Sequence, residues 1–191
     1  RPDGGGGAAR AGQGGGAGRL GGVRHAVVDC PAMGRRTEIS RDIAASPEEV
    51  YAAISDVTRM GEWSEECYAC EWHEGFDGPE VGATFDGHNR HGEHEGTSQG
   101  KVIEAEPGRT FTFEVSMMDF HYATWGYRIE PTEGGCRVTE WVEDLRPESV
   151  MELSKQISGV EDRTERNRQT ISTTLERLAA ALEGRATPPA G

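Results

Sequence analysis

The stretch that decides the fold runs from Thr37-Glu-Ile-Ser-Arg-Asp-Ile43 into Ser46-Pro47-Glu48-Glu49. The first segment alternates in side-chain character, which predicts a half-buried β-strand. The second predicts the start of a helix, because Ser46 can cap it, Pro47 suits the first helical position and Glu49 can complete a capping box. The apolar residues that follow recur at helical spacing: Val50, Ala53, Ile54 and Val57.

Beyond Trp63 the chain has the pattern of short strands separated by turns. The predicted strands cover residues 67–72, 83–86, 97–104, 110–115, 121–130 and 137–143. Pro107-Gly108 and the segment 131–135 provide turn signals between them. Short strands joined in this way favour an antiparallel meander.

The last predicted element is one long amphipathic helix over residues 147–183, followed by Gly184 as an end signal. Its apolar stripe turns polar in the middle, around Thr164, Asn167 and Thr174. Two interpretations remain open: the helix covers a cavity at that point, or the stripe is merely exposed to solvent there.

This order of elements resembles the START-like superfamily, which includes the polyketide cyclase/dehydrase and lipid-transport proteins. The resemblance rests on the first strand, the capped helix carrying Pro-Glu-Glu-Val-Tyr, the break at Trp63, the strands and the final helix, from about Thr37 to Gly184. It implies an α+β helix-grip fold: a curved antiparallel sheet of about seven strands around a long C-terminal helix, with two short helices after the first strand. It also implies an internal apolar cavity.

Composition divides the chain into a tail and one domain. Of the 27 glycines, 11 lie in residues 1–22, so we expect a disordered tail over residues 1–36, with Met33 as a candidate natural start. The START-like ligand-binding domain is expected over 37–184, and residues 185–191 are expected to be disordered. A phosphate-binding loop is not favoured in the tail, since no strand precedes its glycines.

Charge limits the classes of partner. Six Arg and two Asp give residues 1–36 a charge of +4, so the total of −13 leaves −17 for residues 37–191. Such an acidic domain disfavours nucleic acid and stable association with anionic membranes. No segment has the pattern of a signal peptide or a transmembrane span, so we expect a cytoplasmic protein.

Two sets of residues could hold a metal, and neither is favoured. Cys67 and Cys70 lie three apart on a predicted strand, so their sulfur atoms are expected to point to opposite faces. His88, His91 and His94 lie in a glycine-broken stretch that favours a solvated strand-loop-strand connection. We therefore predict no metal and no cofactor.

The polar residue of most interest is Glu140, which shares the inward face of its strand with Val138 and Val142. Its neighbours across the hairpin are expected to be Tyr127 and Trp125. A carboxyl group facing an apolar cavity would have a raised pKa. The alternative is a solvent-facing side chain, or one paired with Arg128 or Arg168, since a slip of one residue reverses the face.

The leading hypothesis is a carrier or sequestering protein that binds a small hydrophobic molecule of polyketide, isoprenoid, quinone or lipid type. The predicted ligand-binding residues are Phe111, Phe113, Trp125, Tyr127, Glu140, Asn167 and Ile171. The alternative is a cyclase- or dehydratase-like enzyme, for which Glu140 and Tyr127 are the only candidate acid/base pair and no catalytic residue is assigned. A third hypothesis is an interaction module, and weak homodimerisation is left open.

Overall fold

The structure is a computed structural model that describes residues 34–184. Seven strands form a single antiparallel sheet: β1 Arg35–Ile43, β2 Cys67–Trp72, β3 Thr84–His91, β4 His94–Glu106, β5 Thr110–Met117, β6 Phe120–Thr132 and β7 Gly135–Asp144. Their order in the sheet is β1-β7-β6-β5-β4-β3-β2. The boundary predicted between a disordered tail over residues 1–36 and the domain is wrong by two residues, because Arg35 and Arg36 pair with β7 as the start of β1. The predictions for residues 1–33 and 185–191 lie outside the described residues.

The helices complete the helix-grip α+β fold that the sequence predicts. Helix α1 (Pro47–Ser55) and a short 3-10 helix (Val57–Glu62) separate β1 from β2, and α2 (Glu148–Ser158) and α3 (Arg163–Glu183) follow β7. Helix α3 packs on β1 and β7, and α1 packs on β5 and β6. No helix within residues 34–184 is long and apolar enough to cross a membrane.

The predicted start of α1 is confirmed. The Ser46 hydroxyl accepts a hydrogen bond from the Glu49 backbone N–H at 3.3 Å, and the Glu49 carboxylate accepts one from the Ser46 N–H at 2.9 Å. This reciprocal pair satisfies two backbone donors that a helix start otherwise leaves free. Its local character explains why the sequence alone was enough to find it.

The prediction of one continuous helix over residues 147–183 is wrong. Gly159 has a φ of 68° and ends α2, and the Asp162 carboxylate caps α3 by accepting from the Glu165 N–H at 3.0 Å. The left-handed conformation at Gly159 turns the chain between the two helices. As a result, Leu153 and Ile157 are more than half exposed, although they continue the apolar pattern of α3.

Helix α3 presents two adjacent stripes to the interior. Ile171, Leu175 and Leu178 belong to the hydrophobic core. Asn167, Thr170 and Thr174 form the second stripe and line a cavity. The polar middle of the helix is therefore a cavity wall, with the exception of Thr164, which is exposed to solvent.

Gly100 on β4 makes room for an aromatic ring of the cavity wall. It lies opposite Phe85 of β3, and a Cβ atom at position 100 would lie 2.1 Å from the nearest atom of that ring. Phe85 in turn packs edge-on against Phe113, with ring centroids 5.4 Å apart. The missing side chain at Gly100 thus lets Phe85 lie flat across the strand.

We predict that Gly100→Ala lowers the free energy of unfolding by about 1–3 kcal/mol, because the added methyl group collides with Phe85 in a packed core. Gly96→Ala on the same strand is the matched control, since a Cβ there would meet nothing within 4 Å. Urea denaturation of both variants measures the difference. Equal stabilities for the two variants would contradict the packing described for Phe85.

Candidate functional site

A cavity of about 480 Å³ lies between the sheet and helices α2 and α3. Its sheet wall is mainly apolar and includes Phe85, Phe113, Val115, Ala123, Trp125 and Val142. Its polar groups come from the β3–β4 hairpin, from β6 and β7, from α2 and α3, and from the segment before β2. Such a mixture of many apolar side chains and a few polar ones is typical of small-molecule sites.

The structure places five of the seven predicted ligand-binding residues on this wall: Phe113, Trp125, Tyr127, Glu140 and Asn167. Phe111 and Ile171 are fully buried in the core instead. Phe111 lies opposite Tyr127 in the pairing of β5 with β6, and its ring packs against Phe113 with centroids 5.7 Å apart. Ile171 lies on the core-facing stripe of α3, so the predictions that these two line the cavity are wrong.

Glu140 faces the interior, and neither solvent nor an arginine. Its side chain is 3% exposed, and it lies directly opposite Tyr127 in the pairing of β6 with β7. The Tyr127 hydroxyl donates a hydrogen bond to Glu140 Oε1 at 3.0 Å. Of the two orientations that the sequence left open, the structure therefore has the inward one.

Burial raises the pKa of Glu140 to about 8, because the ionised form loses its hydration, and the Tyr127 hydrogen bond only partly offsets this. The pKa of Tyr127 is raised well above its usual value by burial and by the neighbouring carboxyl group. At neutral pH both groups are thus mainly neutral.

The proton of this acid belongs on Oε2. Oε1 already accepts from Tyr127, whereas Oε2 is buried and has no hydrogen-bond partner among the described residues. A neutral carboxyl group places its hydrogen on the oxygen that is not already accepting, so Glu140 Oε2–H is a buried donor without a partner among the described residues, on a side chain that lines the cavity. A buried donor without a partner costs about 1–3 kcal/mol, which a bound acceptor would recover.

The other buried carboxylates on the cavity wall, Glu66 and Asp144, are held in ion pairs. Burial opposes ionisation of Glu66, but Arg163 at 2.9 Å and Arg166 at 2.8 Å together lower its pKa. Asp144 is likewise buried, and Arg146 at 2.8 Å and Arg35 at 3.1 Å lower its pKa. These groups are charged and paired, so Glu140 is distinct from them in being neutral and partly unpaired.

The mouth of the cavity carries exposed apolar side chains. They come from the β5–β6 turn and from α2: Met118, Phe120, Leu153 and Ile157. Met118 is 92% exposed and has a φ of 47°, which is strained for a residue with a long side chain. These four side chains form an apolar collar around the mouth. No pattern in the sequence indicates this collar, because residue spacing does not mark a turn residue as part of a site.

The prediction that the Cys67 and Cys70 sulfur atoms diverge is wrong. The two Sγ atoms lie 3.2 Å apart, because a bulge in β2 shifts its register between Cys67 and Ala69. A hydrogen bond from the Cys70 thiol lowers the pKa of Cys67, and giving that bond raises the pKa of Cys70. Strand alternation alone could not predict this pair, because the residue types of β2 do not indicate a bulge.

The three histidines do not converge. His91 and His94 face each other across the β3–β4 hairpin at the cavity mouth. His88 instead contacts Thr97 at 3.2 Å and Glu71 at 3.3 Å. The described residues contain no group of three His, Cys, Asp or Glu side chains that could hold a metal ion.

Comparison with known proteins identifies the family of this chain. Residues 35–183 match the family model described as polyketide cyclase / dehydrase and lipid transport. A search of curated proteins returned no match.

Solved structures share the fold. The solution structure of the polyketide cyclase-like protein Cgl2372 of Corynebacterium glutamicum is 34% identical over 80% of this chain and 96% of its own, with a TM-score of 0.51. The di-domain aromatase/cyclase StfQ of the steffimycin biosynthetic pathway is 14% identical, with a TM-score of 0.62 over 81% of this chain and 52% of its own. The protein CV1439 of Chromobacterium violaceum is 19% identical, with a TM-score of 0.59 over 78% of this chain and 97% of its own. The chain therefore belongs to the polyketide cyclase/dehydrase and lipid transport family.

Proposed function

We propose that the protein binds a small, mainly apolar molecule carrying one oxygen function, and acts as its carrier or sequestering protein. The observation that carries this proposal is the buried Tyr127–Glu140 pair on the wall of an otherwise largely apolar cavity. A polyketide, isoprenoid, quinone or lipid with a carbonyl or hydroxyl group has this chemistry.

The size of the cavity supports a ligand of this kind. A volume of about 480 Å³ lies within the range of about 300–1,000 Å³ that small-molecule pockets occupy. Removing apolar ligand surface from water contributes roughly 25 cal/mol per Å². The aromatic side chains of β3, β5 and β6 would supply most of the affinity.

Glu140 would orient the ligand. Its neutral carboxyl group can donate from Oε2 to a ligand oxygen, while Tyr127 fixes the other carboxyl oxygen. On α3, Asn167 and Thr174 offer further hydrogen-bonding groups on the opposite wall. The apolar collar would offer the ligand an apolar side of the mouth, beside the more polar β3–β4 hairpin.

The alternative is an enzyme of the cyclase or dehydratase type, and one observation favours it. The pKa of Glu140 is raised to about 8, and a general acid works best when its pKa lies near the working pH. Glu140 could then protonate a ligand carbonyl. The carrier is preferred because Glu66 and Asp144, the other buried carboxylates on the described cavity wall, are held by arginines, so neither is a free base.

The variant Glu140→Gln separates the two functions. In a carrier it changes affinity by about 1 kcal/mol, because one hydrogen bond among many apolar contacts is altered. In an enzyme that uses Glu140 as its acid, turnover of a polyketide-like substrate falls by about 100-fold or more while binding survives. Isothermal titration and product analysis on the same variant distinguish these outcomes.

We predict that an apolar fluorescent probe binds the protein and that Trp125→Ala weakens its affinity by about tenfold or more, because a large apolar contact is lost. Trp141→Ala is the matched control. Trp141 lies on the opposite face of the sheet, over Gly126 and Arg36, and does not line the cavity. Equal affinities for the two variants, or no binding by the wild type, would contradict the proposed binding site.

We also predict an unusual pH dependence of stability from Glu140. Its folded pKa of about 8 lies above the ordinary value near 4.5, so between these values the folded state holds a proton that the unfolded state has released. The free energy of unfolding should therefore fall as pH rises, by at most about 1.4 kcal/mol per pH unit. Glu140→Gln lacks this contribution.

The measurement is urea denaturation of the wild type and Glu140→Gln from pH 5 to pH 8, with the difference between the two as the readout so that other groups cancel. The variant should gain relative stability at the higher pH. Tyr127→Phe should shift the wild-type behaviour to still higher pH, since it removes the donor that favours ionised Glu140. Parallel profiles for the wild type and Glu140→Gln would rule out a buried neutral acid.

A further inference from the structure

Three sulfur atoms meet at one edge of the cavity. Cys67 Sγ and Cys70 Sγ of β2 lie 3.2 Å apart, and Cys70 Sγ lies 3.8 Å from Met60 Sδ in the 3-10 helix. We propose that these three atoms form a binding site for a single Cu(I) ion. The proposal does not depend on the identity of the apolar ligand.

The bulge in β2 creates this cluster. In a regular strand, residues three apart point to opposite faces. Here Cys67 pairs with Asn89 and Ala69 pairs with His88, so Tyr68 is the extra residue and is turned outward, 46% exposed. Both cysteines consequently point inward, where each is less than 10% exposed.

Gly87 leaves space beside the sulfur atoms. It is the pairing partner of Cys70 on β3. A Cβ atom at position 87 would lie 3.5 Å from Cys67 Sγ and 3.7 Å from Cys70 Sγ. The absence of that atom provides room for an ion, and both Cys67 and Met60 line the cavity, which gives the ion a route from solvent.

The distances fit a shared ion better than a disulfide. A disulfide requires the two sulfur atoms to close to about 2.05 Å, a movement of about 1 Å for residues of an extended strand. Three sulfur ligands about 2.3 Å from one ion lie roughly 4 Å from each other. The Cys70–Met60 separation of 3.8 Å already has that value, and the two cysteine sulfur atoms must move apart from 3.2 Å by about 0.8 Å, which is less than a disulfide requires.

The ligand set selects the ion. Thiolate and thioether sulfur are soft ligands and favour Cu(I), which accepts low coordination numbers. Structural zinc instead requires four ligands, mostly Cys and His, and the described residues supply no third His, Cys, Asp or Glu to this pair. Binding converts each thiol to a thiolate, so each cysteine that joins the ion releases one proton to solvent.

The test is an anaerobic titration of the reduced full-length protein with Cu(I), in competition with the chromophoric chelator bicinchoninate. We expect one Cu(I) per chain, held by sulfur alone in its X-ray absorption spectrum. Cys67→Ser and Cys70→Ser should each lose affinity on the order of 100-fold or more, and Met60→Leu about tenfold. Gly87→Ala, which keeps all three sulfur atoms, should also weaken binding.

The control is Cys136→Ser, since Cys136 is fully buried in β7 opposite Ile43 and Pro131 and does not line the cavity. Cys30→Ser controls for the remaining cysteine. Circular dichroism of each variant checks that it folds. Retention of Cu(I) in the Cys67/Cys70 double variant, its loss in either control, unchanged affinity in Met60→Leu, or failure of the wild type to compete with the chelator would overturn the proposal.

Discussion

The hydrogen bond from Tyr127 to Glu140 is the interaction on which the cavity depends. A carboxyl group that is 3% exposed must either find a charged partner or remain protonated. Among residues 34–184 Glu140 has no arginine or lysine partner, and a hydroxyl group at 3.0 Å occupies only one of its oxygen atoms. The second oxygen is buried and has no partner in the described part of the chain, and that is costly in a protein selected only for stability. Ligand binding gives a physical reason for a carboxyl group in this place.

The sheet and helix α3 position the Glu140 carboxyl group beside Tyr127 on the cavity wall. The register of β6 and β7 sets Tyr127 opposite Glu140, and the polar stripe of α3 keeps large apolar side chains from filling the space above them. Glycine positions let aromatic rings cross neighbouring strands: Phe85 lies over Gly100 and Trp141 over Gly126. The first ring forms part of the cavity wall, and the second covers the outer face.

The sequence was sufficient to predict those features that depend on residue spacing within a single helix or strand. The capping box at Ser46, the inward face of Glu140 and the polar middle of α3 follow from spacing within one element. The errors arose where a backbone irregularity or tertiary packing decides. A bulge at Tyr68 brought Cys67 and Cys70 together, a left-handed Gly159 divided the final helix, and Phe111 packs among core side chains, away from the cavity. Strand alternation marks a face of a sheet, but it does not tell which part of that face borders a cavity.

The protonation state of Glu140 tests this account most directly. Infrared difference spectroscopy between the wild type and Glu140→Gln at pH 7 isolates the vibrations of this one carboxyl group. The account predicts the carbonyl band of a neutral carboxylic acid that disappears as pH rises through about 8, and that shifts when an apolar ligand with a carbonyl group binds. A carboxylate band at pH 7, with no acid carbonyl band, would contradict a buried neutral acid and with it the proposed role of Glu140 in the cavity.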